Sequence, residues 1–408
     1  MISVKKAQSI INDNIRPLGS ETILLKNVGN RINGQDIIAP FSVPSFDNSA
    51  MDGFAVRAVD TEGAKKYSPI TFMMVGVSSA GVPSNIILQP GECVQCMTGG
   101  KIPEGADSIV IVENSSGFSD SKTVEIYKEA NIGDHIRRQG EEIKEGNVII
   151  SKGTCITPGE IGVLATFGYE KVSVMIKPKI AIFVTGNELV EPGNKIKSGQ
   201  IYNSNLYMLS GLAEKSGVEI VMSEVVKDDK NSLRKLLSNA LQICDIIISS
   251  GGVSMGRFDY VREVYNELGV QEHFWKVAQK PGKPLFFGTI GTSLIFGLPG
   301  NPISSLICYV EYIHPTIYDL QNRKRDSKHR AILVEDFAID NKKHRYLFGQ
   351  SWIDSSSGKL LCSPSSKRGS HMLTATLESN CILESPPCKQ GLKAGDEITI
   401  NLLNWRNF

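Results

Sequence analysis

The chain has 408 residues, which is enough for roughly two to four domains. Its formal net charge of +1 predicts no non-specific attraction to nucleic acid or to membranes, so any anion site must be local. No apolar run approaches the ~18 residues that cross a bilayer. The amphipathic N-terminus lacks the apolar core of a signal peptide. We therefore expect a cytoplasmic protein with no membrane or nucleic-acid partner.

The chain alternates between β-rich and α/β regions, and we predict four domains. Residues 1–45 and 141–175 have mixed patterns and form one linker domain. Residues 46–140 show short strands separated by Gly and Pro, which indicates an all-β inserted domain. Residues 176–327 form an α/β domain, and residues 328–408 contain short strands that indicate a small β-barrel.

The inserted domain begins with an irregular stretch, PSFDNSAMDGFAV, at residues 44–56. Its acids, Asp47 and Asp52, follow neither helical nor strand periodicity. Turn-forming residues surround them, together with three large apolar side chains. We expect those apolar side chains to anchor a loop that presents polar groups. They belong to Phe46, Met51 and Phe54.

Residues 176–327 alternate apolar strands with amphipathic helices, a pattern typical of a doubly wound parallel sheet. Three strands run into loops of special composition: TGNEL, SSGGVSMGRFD and GLPGNP. Ligands of open α/β sheets bind at the carboxyl ends of the strands, where glycines let backbone N–H groups approach an anion. Three such loops therefore predict a ligand site. The chain lacks both the dinucleotide fingerprint and the P-loop signature.

Two groups of basic residues are candidates for anion binding. The segment FWKVAQKPGKP holds Lys276, Lys280 and Lys283 between prolines and a glycine. A solvated turn is the usual interpretation of such lysines, but their position between site-bearing strands favours phosphate contact. Arg137 and Arg138, near the end of the inserted domain, form either an anion site or a surface salt bridge.

Acidic residues of the α/β region accompany the lysines: Glu188, Asp228, Asp229 and Asp259. Together with the lysines they suggest a phosphate-bearing substrate and a hard cation such as Mg²⁺, which prefers oxygen ligands. Cys93 and Cys96 form a C-x-x-C pair without a second pair or a histidine cluster. On a strand their spacing sends them to opposite faces, which disfavours a zinc or redox site.

Eight separated motifs occur in order: PSFDNSAMDGFAV, TGGKIPEGADSIV, RRQGEEI, TGNEL, SSGGVSMGRFDY, FWKVAQKPGKP, GLPGNP and RGSH. In this order they closely resemble the MoeA family of molybdopterin molybdenumtransferases, which includes the E domain of gephyrin. The resemblance spans essentially the whole chain. It implies a homodimer of four-domain subunits with an elongated linker domain, a central molybdopterin-binding α/β domain and an active site shared between subunits.

The resemblance also implies an activity in molybdenum cofactor biosynthesis. Molybdate is inserted into the dithiolene of adenylylated molybdopterin, and AMP is released in a Mg²⁺-dependent step. Molybdopterin adenylyltransferase is the upstream partner implied. The loop that carries Asp52 is implied to face a cleft of the partner subunit.

Carried over position by position, the implied catalytic residues are Asp52, Thr98, Glu188, Asp228 and Asp259, with Asp228 and Asp259 as metal ligands. The implied substrate-binding residues are Arg137, Gly251, Gly252, Ser254, Lys276, Lys280, Pro299, Gly300, Pro302, Arg345 and Ser370. Arg345 is preferred to Arg368 as the arginine of the last domain. Asn187 stands where the family commonly has Asp, which removes one charge beside Glu188.

Two other classes remain open. A scaffold of the gephyrin kind clusters membrane receptors through its last domain, but here no second enzyme domain is fused. An enzyme that adenylylates molybdopterin shares the GGVS-type loop, but such an enzyme is a single short domain without flanking β regions. Molybdate-dependent release of AMP separates the transferase from both.

Overall fold

The computed structural model describes residues 1–226, 229–251, 260–337, 343–367, 369, 371–387 and 391–403. The chain divides into two compact units. We call Asp36–Ser151 with Gly162–Tyr169 the β unit, and Met1–Gln35 with Lys152–Ile161 and Glu170–Phe408 the main unit. No helix in the described part of the chain is long and apolar enough to span a membrane.

The first 175 residues consist mainly of short strands. They are α1 (Val4–Asn14), β1 (Ser20–Leu24), β2 (Ile37–Ile38), β3 (Asn48–Ser49), β4 (Gly53–Val56), β5 (Lys65–Ser78), β6 (Glu92–Cys96), β7 (Ser108–Ile111), β8 (Thr123–Lys128), β9 (Ile136–Arg137), β10 (Val148–Ile150), α2 (Pro158–Thr166) and β11 (Lys171–Met175). Three short 3-10 helices accompany them: Leu25–Asn27, Ala58–Thr61 and Val112–Asn114.

The β unit is built on a five-stranded sheet in the order β7-β4-β6-β5-β8. This confirms the predicted all-β insertion. Cys93 and Cys96 lie on β6 in two different hydrophobic clusters, one for each face of the sheet. Burial raises the pKa of Cys93 to about 12 and that of Cys96 to about 11, so both thiols stay protonated. The seven cysteines that the structure describes are all free.

The α/β part of the main unit follows. Its elements are β12 (Lys179–Thr185), β13 (Leu189–Val190), β14 (Ile201–Tyr202), α3 (Asn205–Lys215), β15 (Glu219–Val226), α4 (Lys230–Ile243), β16 (Ile246–Ser250), α5 (Tyr260–Glu267), β17 (Gln271–Lys276), β18 (Gln279–Lys280), β19 (Pro284–Ile290), β20 (Ser293–Leu298), α6 (Pro302–Cys308), a π-helix (Tyr309–Ile313) and α7 (His314–Leu320).

Six of these strands form one sheet in the order β15-β12-β16-β20-β19-β17. Along β12, Ile180, Ile182 and Val184 enter one hydrophobic cluster, whereas Ala181 and Phe183 enter the cluster on the other face. Burial on both faces explains why the sequence shows a continuous apolar run here. The α/β prediction is confirmed with one correction. The first four strands are parallel, but at one edge β19 pairs antiparallel with β20, and β17 pairs antiparallel with β19.

The C-terminal part of the main unit is the predicted small barrel. Its strands are β21 (His329–Leu333), β22 (His344–Ile353), β23 (Leu360–Pro364), β24 (Cys381–Ser385) and β25 (Glu397–Leu402), with a 3-10 helix at Leu373–Leu377. The long strand β22 pairs with both β23 and β24, which closes a ring of five strands. Strand β18 of the α/β part pairs in parallel with the start of β22 and so joins the barrel to the sheet.

Candidate functional site

The loops after β12, β16 and β20 meet at the carboxyl edge of the sheet. Gly251 has a φ of +89°, and a Cβ atom there would lie 2.4 Å from the carbonyl oxygen of Thr185. A Cβ atom at Gly300 would lie 3.7 Å from Cα of Gly251. The three loops therefore touch through backbone, as the sequence pattern predicts, and only glycine fits at position 251.

A buried hydrogen-bond network holds these loops from below. The side-chain amide of Asn205 donates to Oγ of Ser250 at 2.9 Å and to the carbonyl oxygen of Gly300 at 2.8 Å. The Ser250 hydroxyl in turn donates to the carbonyl oxygen of Pro299 at 3.1 Å. The sequence analysis missed Asn205 and Ser250. The polar run YNSN, which ends at the first residue of the amphipathic helix α3, is the signal that could have identified Asn205.

Glu188 lies on the same edge, in the loop that follows β12. Its exposed carboxylate folds back over Gly186, where a Cβ atom would lie 2.8 Å from both carboxylate oxygens. Val226, the last residue of β15, pairs with Thr185 at the end of β12. The predicted residue Asp228 follows Val226 in the sequence and lies outside the described residues.

The other predicted residues that lie outside the described part are Gly252, Ser254, Asp259 and Ser370, as does the alternative Arg368. Asp229 is described, and its carboxylate caps α4 by accepting a hydrogen bond from the Ser232 N–H at 2.9 Å. Among the residues that the structure describes, no group of three or more His, Cys, Asp or Glu side chains is arranged to hold a metal ion.

A cavity of about 480 Å³ lies between the lysine-bearing segment, the start of α6 and strand β22. We call it the basic cavity, and no acidic side chain is among its described lining residues. Lys280 lies opposite Arg345 where β18 pairs with β22. Pro302 begins α6, and the next two residues line the cavity. The basic lining side chains are Lys280, Lys283, Lys343, Arg345, Lys367 and His371.

The structure separates the two predicted lysines. Lys280 lines the basic cavity, whereas Lys276 lies on β17 with its Nζ 3.9 Å from the ring centroid of Trp275. The guanidinium of Arg262 also lies over this ring, at 4.3 Å, and forms an ion pair with Glu272. Lys343 and Lys367 were missed. Their signals were the basic runs KKHR and SSKR, which look the same on a solvated turn.

In the β unit, Asp52 and Thr98 form a close pair. One carboxylate oxygen of Asp52 accepts hydrogen bonds from the Thr98 backbone N–H and from the Thr98 hydroxyl, both at 2.7 Å. The backbone bond first and the hydroxyl bond second lower the pKa of Asp52, because both stabilise its ionised form. The Gly99 N–H donates to the Ser49 carbonyl oxygen at 2.8 Å, so the two loops are tied together.

The backbone holds the Asp52 loop more than its apolar side chains do. A Cβ atom at Gly53 would lie 2.1 Å from the carbonyl oxygen of Val110, so only glycine lets β4 begin there. Phe54 is buried as predicted, with 1% of its surface exposed. The same prediction is wrong for Phe46 and Met51, which are 40% and 42% exposed. Backbone hydrogen bonds to the 97–100 turn hold this part of the loop instead.

The structure distinguishes the two neighbouring arginines. Arg138 forms an ion pair with Asp47, with Nη1 2.6 Å from Oδ2. Of the two interpretations given above, the surface salt bridge therefore applies to Arg138. Burial opposes ionisation of Asp47, but hydrogen bonds from the Gln139 N–H and from Arg138 lower its pKa overall. Arg137 is exposed on β9 opposite Asn48 and has no ion pair within the described part of the chain. It therefore keeps its place as the anion candidate.

Three family models match the chain in succession. They describe the MoeA N-terminal region (domain I and II) at residues 2–168, a probable molybdopterin binding domain at 181–319, and the MoeA C-terminal region (domain IV) at 330–403. A molybdopterin molybdenumtransferase of Staphylococcus aureus (strain COL) is 34% identical over 404 residues, covering 98% of this chain and 95% of its own. One from Haemophilus influenzae is 33% identical and covers 99% of both chains.

The fold has a solved counterpart. The crystal structure of a molybdopterin biosynthesis moeA protein from Pyrococcus horikoshii superposes with a TM-score of 0.83 at 28% identity. The superposition covers 99% of this chain and 100% of that one. The similarity therefore includes both the residues around the basic cavity and those around Asp52.

Replacing Thr98 by Val removes the hydroxyl donor to Asp52 and leaves the backbone donor in place. We expect the pKa of Asp52 to rise toward its usual value without reaching it. A lowered carboxyl pKa stabilises the fold above the unfolded pKa, and this contribution is lost as pH falls through the folded pKa. The variant should therefore lose less stability on acidification. NMR titration of the Asp52 carboxyl carbon measures the shift.

Thr71→Val is the matched control, because Thr71 is exposed on β5 of the same unit. It should leave the pKa of Asp52 unchanged. An identical Asp52 titration in the wild type and in Thr98→Val contradicts the role of this hydroxyl.

Proposed function

The chain belongs to the MoeA family of molybdopterin molybdenumtransferases, and we propose that it inserts molybdenum into molybdopterin during molybdenum cofactor biosynthesis. The observation that carries this proposal for the chain's own residues is the basic cavity. Both reactants of the proposed reaction, molybdate and adenylylated molybdopterin, are anions. A cavity with several cationic side chains and no acidic side chain among its described lining residues suits an oxyanion.

The arrangement of Lys280 and Arg345 supports a specific contact. A guanidinium can donate two parallel hydrogen bonds to one oxyanion, whereas an ammonium acts as a mobile point charge. Their adjacency on β18 and β22 lets both reach one bound group. We assign this pair to an oxyanion of the substrates, either molybdate or a phosphate.

The strand-end loops supply the second part of the site. Glycines at 251 and 300 let a ligand approach the backbone at the carboxyl edge of the parallel strands. We assign the pterin nucleotide to this edge, with Glu188 beside it. Release of AMP accompanies the insertion of molybdate into the dithiolene in this proposal.

We also propose that Asp228 and Asp259 bind Mg²⁺. Carboxylates are the ligands that this ion prefers, and the ion neutralises charge on phosphate oxygens. Two observations support the position. Asp228 follows β15, whose last residue pairs with the end of β12, and Asp259 immediately precedes α5 in the sequence.

The Asp52–Thr98 pair completes the site in a homodimer, in our proposal. Phe46 and Met51 expose large apolar surfaces within a few residues of Asp52. Exposed apolar side chains next to fixed polar groups are typical of surfaces that meet another protein. We propose that this loop reaches the main unit of the partner subunit, and that molybdopterin adenylyltransferase supplies the adenylylated substrate.

The first test uses Lys280→Ala with adenylylated molybdopterin and molybdate. Loss of a charge-assisted contact to an anion should lower molybdate-dependent AMP release by about ten-fold or more at low salt. The deficit should shrink as salt rises, because salt screens the same charge in the wild type. Lys359→Ala, an exposed lysine of the barrel outside the cavity, serves as the control. AMP release that does not depend on molybdate in the wild type argues against the transferase itself.

The second test concerns the metal. Asp259→Asn keeps the size of the side chain and removes its charge, so the Mg²⁺ concentration needed for AMP release should rise clearly while the melting temperature changes little. Titrating Mg²⁺ at saturating substrates gives the comparison. An equal Mg²⁺ requirement in the variant and the wild type rules out a metal role for Asp259.

The third test concerns the shared site. Asp52→Ala and Glu188→Ala, each inactive alone, are mixed under conditions that exchange subunits. A heterodimer then has one site with both residues intact, so part of the activity should return. Native mass spectrometry of the mixture verifies that heterodimers have formed. Heterodimers without activity would show that each subunit builds its site alone.

A further inference from the structure

One residue of the lysine-bearing segment is fully buried. Gln279 is 1% exposed, although its neighbour Lys280 is exposed. We call residues 276–284 the lysine loop. A buried amide side chain destabilises a protein unless its donor and acceptor groups are paired. The partners of Gln279 therefore show what this position does.

The partners of Gln279 lie on the helix that follows the GLPGNP loop. The Tyr312 hydroxyl donates to Oε1 of Gln279. Nε2 of Gln279 donates back to its own loop, to the carbonyl oxygen of Pro281 at 3.2 Å, and lies 3.7 Å from Sγ of Cys308. One side chain thus joins the lysine loop to the helix.

The helix has a π-helical turn at Tyr309–Ile313, directly between α6 and α7. Such turns shift the register of the side chains that follow and recur at functional sites. Here Cys308 and Tyr312 both contact Gln279. Tyr309, within the same turn, points its hydroxyl elsewhere, to Oγ of Ser216 at 2.9 Å.

The loop also fits closely against this helix. Gly282 has a φ of +83°, and a Cβ atom there would lie 2.7 Å from Cys308 Sγ and 2.7 Å from Gln279 Nε2. The glycine thus serves both the backbone conformation and the close approach. The lysine loop therefore packs closely against this helix around the Gln279 amide.

Fixing Gln279 also fixes the charged residue that follows it. Gln279 pairs with His344, and Lys280 pairs with Arg345, in the short parallel pairing of β18 with β22. The His344 N–H donates to the carbonyl oxygen of Ala278 at 3.0 Å. The position of the Gln279 amide therefore sets where Lys280 enters the basic cavity beside Arg345.

We propose that the Tyr312–Gln279 hydrogen bond is a positioning device that holds Lys280 and Arg345 in register at the basic cavity. Tyr312 and Gln279 are positioning residues, because both are buried and act through the lysine loop. The inference rests on the proposed function only in one respect, namely that the basic cavity binds an oxyanion of the substrates. The ordering of the loop by Tyr312 stands on the geometry alone.

The test compares Tyr312→Phe with Tyr309→Phe. Both remove one hydroxyl from a fully buried tyrosine of the same π-helical turn, so their effects on global stability should be similar. Hydrogen exchange followed by mass spectrometry reports local opening of the lysine loop. In Tyr312→Phe the amides of 278, 279 and 344 should exchange about five-fold faster, as expected for loss of one hydrogen bond. In Tyr309→Phe they should not change.

Binding of molybdate alone, measured by calorimetry, is the second readout. Tyr312→Phe should weaken it by about five-fold, whereas Tyr309→Phe should leave it unchanged. Gln279→Met removes the same hydrogen bond from the other side, together with the Nε2 contacts to Pro281 and Cys308. The double variant should therefore lose no more than Gln279→Met alone, because that change already removes the bond lost in Tyr312→Phe. If the wild type does not bind molybdate, the proposed role of the cavity fails while the exchange result still decides the positioning role. Equal exchange in the two tyrosine variants overturns the inference.

Discussion

The backbone contact between the loops that end β12, β16 and β20 is the constraint on which the strand-end part of the site depends. Any side chain at Gly251 would collide with the Thr185 carbonyl, so the loops come together only because that position lacks a Cβ atom. This approach buries carbonyl groups, which need donors. The Asn205 amide supplies one to Gly300. The close contact of the three loops, and the buried hydrogen bonds that hold them, thus both depend on the absence of a Cβ atom at Gly251.

The two units offer complementary chemistry. The main unit provides cations in the basic cavity and glycines at the sheet edge, whereas the β unit provides a carboxylate held ionised by Thr98. Handling an anionic substrate requires charge neutralisation, and moving protons or ordering water requires a fixed acceptor. The basic cavity has no acidic side chain among its described lining residues. In the symmetric dimer proposed above, each chain would bring its Asp52–Thr98 pair to the basic cavity of its partner.

Sequence periodicity predicted those strands and helices whose buried faces are visible in their own pattern of apolar residues. The run from Ile180 to Val184 showed a strand covered on both faces, and the barrel followed from regularly spaced short strands. The antiparallel edge of the sheet was missed because it depends on how β17 and β19 pair, not on their composition. The resemblance to the family, carried over position by position, led to Lys280 and to the choice of Arg345 over Arg368. Lys343 and Lys367 were not predicted, because a basic run has the same sequence pattern on a solvated turn as in a cavity. The cavity itself forms only when the barrel closes.

The joint between sheet and barrel explains how residues so far apart in the sequence can share one cavity. Besides β18, a charge cluster connects the two parts: the exposed Lys328 bonds to the buried Glu311 of the π-helix and to Glu384 of β24. Burial and the nearby Glu311 raise the pKa of Glu384 to about 7. Removing Lys328 would leave the buried Glu311 carboxylate without its cation, which is strongly unfavourable. The ion pairs of Lys328 and the pairing of β18 with β22 thus hold the two parts together, and the second of these places Arg345 of the barrel opposite Lys280.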